Sequence, residues 1–188
     1  MLHNFIGFDY RTRLNPAFDC VVNEFGLTEL VTLDYNLFER TEKTCDELEP
    51  SGYCYPLWDT YFQLDLDLAP ANLHERRFCI GLVDSPHISL AYSFEHYFPL
   101  IPNTEVCPNM NMIGYDVGDE AFFSGIWNMG LDHGIIKSQV SLNQLGLISE
   151  INSAMAFASY VGDFAPDHIP FFVFEIFEIV RGHGDGRQ

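Results

Sequence analysis

The most regular alternation in the chain runs from Tyr61 to Leu68, where Phe62, Leu64, Leu66 and Leu68 share one side and Tyr61, Gln63, Asp65 and Asp67 the other. A period of two packs one set and wets the other, which predicts a half-buried strand. Val31, Leu33, Tyr35 and Leu37 alternate with Thr32, Asp34 and Asn36 in the same way, predicting a strand over 31–37, with helix as the alternative. Short apolar runs add strands over Phe5–Tyr10, Phe78–Val83, Ile88–Phe98 and Met112–Val117. Asp84, Ser85, Pro86 and His87 form a hairpin-like link between Phe78–Val83 and Ile88–Phe98. Phe171–Val180 is apolar on both faces and rich in aromatic and β-branched residues, so it reads as a central strand covered on both sides. Glu175 and Glu178 interrupt it on opposite faces, and each needs an edge, a hydrogen bond or an arginine such as Arg76 or Arg77.

A period near 3.6 marks the helices. Asn15 at the cap, Pro16 at the first position and Gly26 just past the end bracket an apolar side of Phe18, Val21, Val22 and Phe25. Asp119 predicts a cap for a short helix from Glu120 to Met129, closed by Gly130, with Phe122, Phe123 and Trp127 as core or interface anchors. Ser141 and Gln144 have the spacing of a capping box, and Leu142, Leu145, Ile148, Ile151, Met155 and Ala158 continue at helical spacing up to Gly162. Between these elements, Thr41–Tyr55 reads as an exposed acidic loop, Pro99, Pro102 and Pro108 break a long connection, and residues 181–188 form a flexible C-terminal tail. Strands outnumber helices and no regular β-α-β alternation is visible. The expected fold is α+β in one globular domain spanning 1–188: a mainly antiparallel sheet with a long helix over about 141–161 and shorter helices packed on it.

Charge is where the chain departs from an ordinary domain: 27 Asp and Glu stand against 9 Lys and Arg, a formal net of −18 in 188 residues. Charged residues are only 19% of the chain, so the imbalance comes from missing bases. Lys43 and Lys137 are its lysines, and no Lys or Arg falls between Arg77 and Lys137. Such a surface repels nucleic acid and anionic membrane and attracts basic partners at rates that fall as salt rises. Solubility alone would account for moderate acidity. Salt adaptation fits less well, because 17 Phe and 9 Tyr are retained.

The N-terminus lacks the pattern of a signal peptide and no apolar run is long enough for a membrane span, so a cytoplasmic protein is expected. Five cysteines without a C-x-x-C pair read as reduced thiols, several buried as small hydrophobes, and not as a zinc site. No cofactor is implied, because phosphate loops, nucleophile elbows and metalloprotease spacings are missing. Asp116, Asp119 and Glu120 at a strand–helix junction suit either a hard cation or, more economically, the positive end of a helix. The seven histidines are spread along the whole chain, and Asp132 beside His133 or Asp167 beside His168 points elsewhere on any regular element.

The densest candidate surface is Glu42, Asp46, Glu47, Glu49, Asp59, Asp65 and Asp67, with Trp58, Tyr53, Tyr55 and Tyr61 interleaved and Lys43 as the lone base. Carboxylates around exposed aromatics suit a Lys- or Arg-rich protein partner, the rings providing burial and the charges steering. The alternative is a solvated face whose rings turn into the core.

Ile113 to Gly130, a G-Y-D-V-x-D segment followed by S-G-x-x-N-x-G, resembles a segment of small bacterial proteins, some of which are similar to immunity proteins of contact-dependent or polymorphic toxin systems. The resemblance covers 18 of 188 residues and implies an immunity role without assigning one to any single residue. The expectation is therefore an acidic inhibitor that neutralises a cognate basic toxin domain, most plausibly a nuclease, without itself touching nucleic acid or membrane. The alternatives are a small hydrolase or metal-dependent enzyme using some of Asp116, Asp119, Glu120 and His133, and a nucleic-acid mimic that blocks a DNA-binding protein.

Overall fold

A computed structural model describes residues 4–11, 16–34, 37, 53–55, 60–62, 76–83, 101–102 and 109–179. Its frame is an antiparallel sheet. Four long strands, β1 (Asn4–Arg11), β4 (Arg76–Leu82), β6 (Met110–Gly118) and β7 (Phe172–Ile179), are joined at one edge by the two-residue β5 (Ile101–Pro102), in the order β5-β1-β4-β7-β6. A separate two-stranded ribbon pairs β2 (Tyr53–Tyr55) with β3 (Thr60–Phe62). Three α-helices, α1 (Asp19–Phe25), α2 (His133–Gln139) and α3 (Ile151–Phe164), complete the described elements with short 3-10 turns at Pro16–Phe18 and Pro166–His168.

β7 has the interior position that its sequence predicts, bonded to β4 on one side and β6 on the other. Its residues divide between two cores. Phe172, Phe174 and Ile176 pack with Phe78, Ile80 and Leu82 on one face of the sheet, under Val31, Leu33, Phe122 and Leu147. Val173 and Val117 turn to the other face, against Phe157, Ala158 and Val161 of α3 and Ile136 of α2. Helices therefore cover one face, and irregular segments cover the opposite one. Each fully buried Phe of these cores stabilises the fold by about 1.5–3 kcal/mol relative to exposure. Glu175 is buried opposite Tyr115 in the register, while Glu178 sits half-buried near the strand end.

Three predicted elements take another form. The helix expected over about 141–161 begins only at Ile151, and Gly162 lies inside it. Residues 142–148 instead close on themselves through a Leu142–Ile148 bridge. The Asn143 side-chain oxygen accepts from the backbone N–H of Leu145 (2.8 Å) and Leu147 (3.2 Å), and Gly146 adopts φ +74°. A local side-chain acceptor and a left-handed glycine offer the backbone a turn that outcompetes helix. Gly146 is also the close-approach point of this turn: a Cβ there would stand 2.8 Å from Leu30 Cδ1.

The helix expected over 120–129 is a run of turns. Asp119 does act as a cap, its Oδ1 accepting from Ala121 N–H (2.9 Å) and Phe123 N–H (3.0 Å), but Phe122 has φ +63° and Gly125 N–H returns to Val117 O (2.6 Å). The strand expected over 31–37 is likewise replaced, over the described 30–34, by an irregular segment that lies on the sheet. Its alternation is still read correctly as burial of Val31 and Leu33, yet Thr32 and Asp34 are buried too, held by hydrogen bonds described below.

The first helix runs as a 3-10 turn and then α1, and Gly26 at φ +65° stops it as its sequence predicts. The strand expected over 61–68 is described only at Tyr61 and Phe62, which belong to β3. The expected hairpin at 84–87, the strand over 88–98 and the tail at 181–188 lie outside the described residues. Among the described residues no helix is long and apolar enough to cross a membrane.

Candidate functional site

Four buried or half-buried polar side chains tie the irregular layer to the sheet. Asp116 on β6 is the centre. Its Oδ2 accepts from Thr32 Oγ1 (2.7 Å) and Leu33 N–H (2.8 Å), and its Oδ1 accepts from Val117 N–H (2.8 Å) and Ser124 Oγ (3.2 Å). Asp34 extends the network, its Oδ2 accepting from Ser124 N–H (3.0 Å) and Asn128 Nδ2 (2.8 Å). Burial pushes the Asp116 carboxyl above its ordinary range, against the hydrogen bonds from Leu33, Thr32, Val117 and Ser124 that pull it down. Four donors fill the acceptor positions of a carboxylate with 1% exposure. This group is structural, and it does not form the cation or catalytic cluster with Asp119 and Glu120 that their spacing allows.

Asp119 has its own partner. Its Oδ2 lies 2.9 Å from Nδ1 of His168, which belongs to the turn between α3 and β7. Burial raises the Asp119 carboxyl, opposed by the His168 contact and by the Phe123 and Ala121 N–H groups. The pair fastens the turn after α3 to the turn after β6, with the edge of Phe123 against the imidazole at a centroid distance of 6.2 Å. Glu120 is half-buried and joins neither network. Among the described residues no group of three or more His, Cys, Asp or Glu is placed to hold a metal ion.

His133, at the first turn of α2, is drawn elsewhere. Its Nδ1 is 2.6 Å from Glu24 Oε2 on α1, and Lys137 Nζ reaches Glu24 Oε1 (3.6 Å) and the Glu24 carbonyl (3.3 Å). The His133 contact, with help from Lys137, holds the Glu24 carboxyl below its usual range. Behind this surface cluster, the Phe25 ring meets Trp127 and His133 edge-on, each at 5.1 Å, and carries Lys137 Nζ 4.5 Å above its centre. A solvent-exposed ion pair of this kind contributes little to stability, and the edge-on ring packing of Phe25 adds a second contact where α1 and α2 meet.

Beside that junction lies a partly open cavity of about 240 Å³. Phe18 and Val21 line it from the α1 side, together with Leu30, Ile126, Trp127, Gly130, Leu131, His133 and Ile136. Leu30, Ile126, Leu131 and Ile136 are core residues and hold the shape; Asp116 is not among the lining residues. Trp127 Nε1 is buried with no hydrogen-bond acceptor among the described residues.

Of the residues expected to form a binding surface, Tyr61 lies in β3, and Glu42, Asp46, Glu47, Glu49, Trp58, Asp59, Asp65 and Asp67 lie outside the described residues. The cavity and both long-range carboxylate–histidine pairs escape sequence reading: Glu24 and His133 are 109 positions apart, and Asp119 and His168 are 49 apart. The one local signal is Asp132, which caps α2 by accepting from Gly134 N–H (2.8 Å) and so sets the pitch of His133. Comparison of the chain with protein-family models, with curated proteins and with solved structures found no match.

Proposed function

We propose that this protein is an acidic binding protein that captures and neutralises a cationic protein, in the manner of an immunity protein acting in the cytosol on a basic toxin domain such as a nuclease. The observation that carries the reading is the charge excess: if every Lys and Arg were paired, the net of −18 would remain. The buried carboxylates of the described residues are Asp34, Asp116, Asp119 and Glu175, and the first two are held by backbone N–H groups and neutral side chains. Among the described residues Asp19, Glu24, Glu29, Asp132, Glu150, Asp163 and Asp167 are exposed, and exposed carboxylates raise the encounter rate with a positive partner. The enzyme alternative draws no support from the geometry, because Asp116, Asp119 and His133 each serve a different contact. The strip from Glu42 to Asp67, with Trp58 and Tyr61, supplies the expected contact surface of the reading.

The test is association with a panel of cationic nuclease domains at increasing salt. At least one domain is expected to bind at about 50 mM salt, with an on-rate that falls at least tenfold by about 0.5 M. Reversing charge with Asp65→Lys and Asp67→Lys together is expected to slow that association and to leave the melting temperature in place. Retention of no cationic domain beyond the level of neutral control proteins, or an on-rate indifferent to salt, overturns the reading.

A further inference from the structure

We infer that the cavity between α1 and the 126–136 segment is an anchor pocket for one large apolar side chain of a cationic protein segment, flanked in that segment by Lys or Arg. This rests on the proposed function and gives it a contact point.

Size comes first. Ligand sites for whole cofactors and drug-sized molecules occupy about 300–1,000 Å³, whereas a dry cavity of about 150 Å³ already admits a benzene ring. At about 240 Å³ the cavity holds a leucine, phenylalanine or tryptophan side chain and little else. Six of its lining residues, Phe18, Val21, Leu30, Ile126, Leu131 and Ile136, carry apolar side chains, and Trp127, Gly130 and His133 complete a surface of mixed polarity. The cavity is also built in advance. Leu131 and Ile136 belong to the core that packs with α3, and the Phe25 ring meets the lining residues Trp127 and His133 edge-on. A preformed pocket binds without the ordering cost of an induced one.

Charge then selects the occupant's neighbours. Asp19 directly follows Phe18 of the wall, and Asp132 stands between Leu131 and His133; both are exposed. Glu24 is exposed one turn further along α1, and it already engages the neighbouring bases, His133 and Lys137. Asp19 and Asp132 are thus exposed acidic neighbours in the chain of lining residues, Asp132 also capping α2 through Gly134 N–H, and their charge favours a cationic flank over an acidic one. A buried apolar anchor ringed by opposite charge is the arrangement of an interface hot spot.

The probes are amidated pentapeptides Lys-Lys-Phe-Lys-Lys, Lys-Lys-Ser-Lys-Lys and Glu-Glu-Phe-Glu-Glu, titrated into the full chain at low salt and followed through the Trp127 indole signal and the Ile126, Leu131 and Ile136 methyl signals by NMR. The phenylalanine-centred cationic peptide is expected to bind about ten- to a hundredfold more tightly than the serine-centred one, to shift those signals and to outcompete the acidic peptide. Val21→Trp, which fills the cavity from α1, is expected to erase the difference between phenylalanine and serine and to keep the weak salt-sensitive binding of both. Equal binding of the two cationic peptides by the wild-type chain, or shifts confined to other residues, overturns the pocket and leaves the charge-based reading standing. Loss of all preference for cationic over acidic peptides overturns that reading itself. The wild-type comparison decides the matter whether or not the Val21→Trp chain folds.

Discussion

Replacing Asp116 with alanine is expected to destabilise the protein by about 4–6 kcal/mol, read as a fall in the urea midpoint. The carboxylate is the common acceptor for the irregular layer: Leu33 and Val117 give it backbone N–H groups, and Thr32 and Ser124 give it hydroxyls. Each buried donor left without an acceptor costs about 1–3 kcal/mol, and the hydroxyls have limited freedom to turn away. Thr32 Oγ1 is already the acceptor for Asp34 N–H (3.2 Å), and Ser124 Oγ for Ile126 and Trp127 N–H (both 3.3 Å). A loss of this size takes much of a total stability of about 5–15 kcal/mol. Asp116→Asn keeps the shape but turns one oxygen into a donor, which must then face either Leu33 N–H or Val117 N–H. Its cost is expected to be about 1–3 kcal/mol. A midpoint shift worth less than about 1 kcal/mol for alanine would show that water or rearrangement replaces the network.

The same residue gives a pH signature with a definite sign. Burial raises its carboxyl above the ordinary aspartate value of 3.8, so the folded chain holds the proton more tightly than the unfolded chain does. Stability from such a group is complete below the unfolded value and declines as pH rises towards the folded one. The margin of wild type over Asp116→Asn is therefore expected to be widest near or below pH 3.8 and to narrow above it. Asp119 shifts in the same direction but is present in both chains, so it cancels in the difference. A margin that widens with pH would mean that the four donors outweigh burial.

The parts of the fold that the sequence reveals are those governed by long apolar runs and by punctuation within a few residues. Phe171–Val180 identifies itself as an interior strand because both of its faces are apolar, and Gly26 identifies the end of α1 because a left-handed residue must follow it. The misread segments share one cause. Asp119 and Asn143 bind nearby backbone N–H groups through their side chains, while Asp34 and Asp116 bind groups more than 80 positions away. The first pair mimics helix caps and delivers turns, and the second makes an irregular segment look like an amphipathic strand. Periodicity registers which residues are buried there, and says nothing of the backbone that buries them. The cavity is harder still, since Val21 of α1 and Ile136 of α2 reach it from opposite ends of a long stretch of chain.

Gly114→Ala is expected to be nearly as damaging as the loss of Asp116, for a reason of space. β6 carries a bulge between Met112 and Gly114, where the register against β7 slips by one residue, and Gly114 has φ +148°. The 142–148 turn closes over this point. Tyr115 and Ile148 exchange backbone hydrogen bonds at 2.8 and 2.9 Å, and Asn143 Nδ2 donates to the Ile113 carbonyl at 2.7 Å. A methyl group on Gly114 would stand 2.6 Å from Leu147 Cβ and 3.1 Å from both Asn143 Nδ2 and Ile148 O. The first of these is an atom fixed to the backbone and has no rotamer through which to retreat, so the turn must lift from the strand. Overpacking of about 1–3 kcal/mol adds to backbone strain of about the same size, and the melting temperature is expected to fall by about 10 °C. Gly26→Ala is the control for a positive-φ glycine without crowding, because Gly26 has φ +65° with no atom within 4 Å of the added carbon. That change is expected to cost only about 1 kcal/mol, the dihedral part alone. Equal melting shifts for the two variants would show that the turn yields freely, and that the seal between residues 142–148 and β6 contributes little to holding Leu147 and Ile148 in the core.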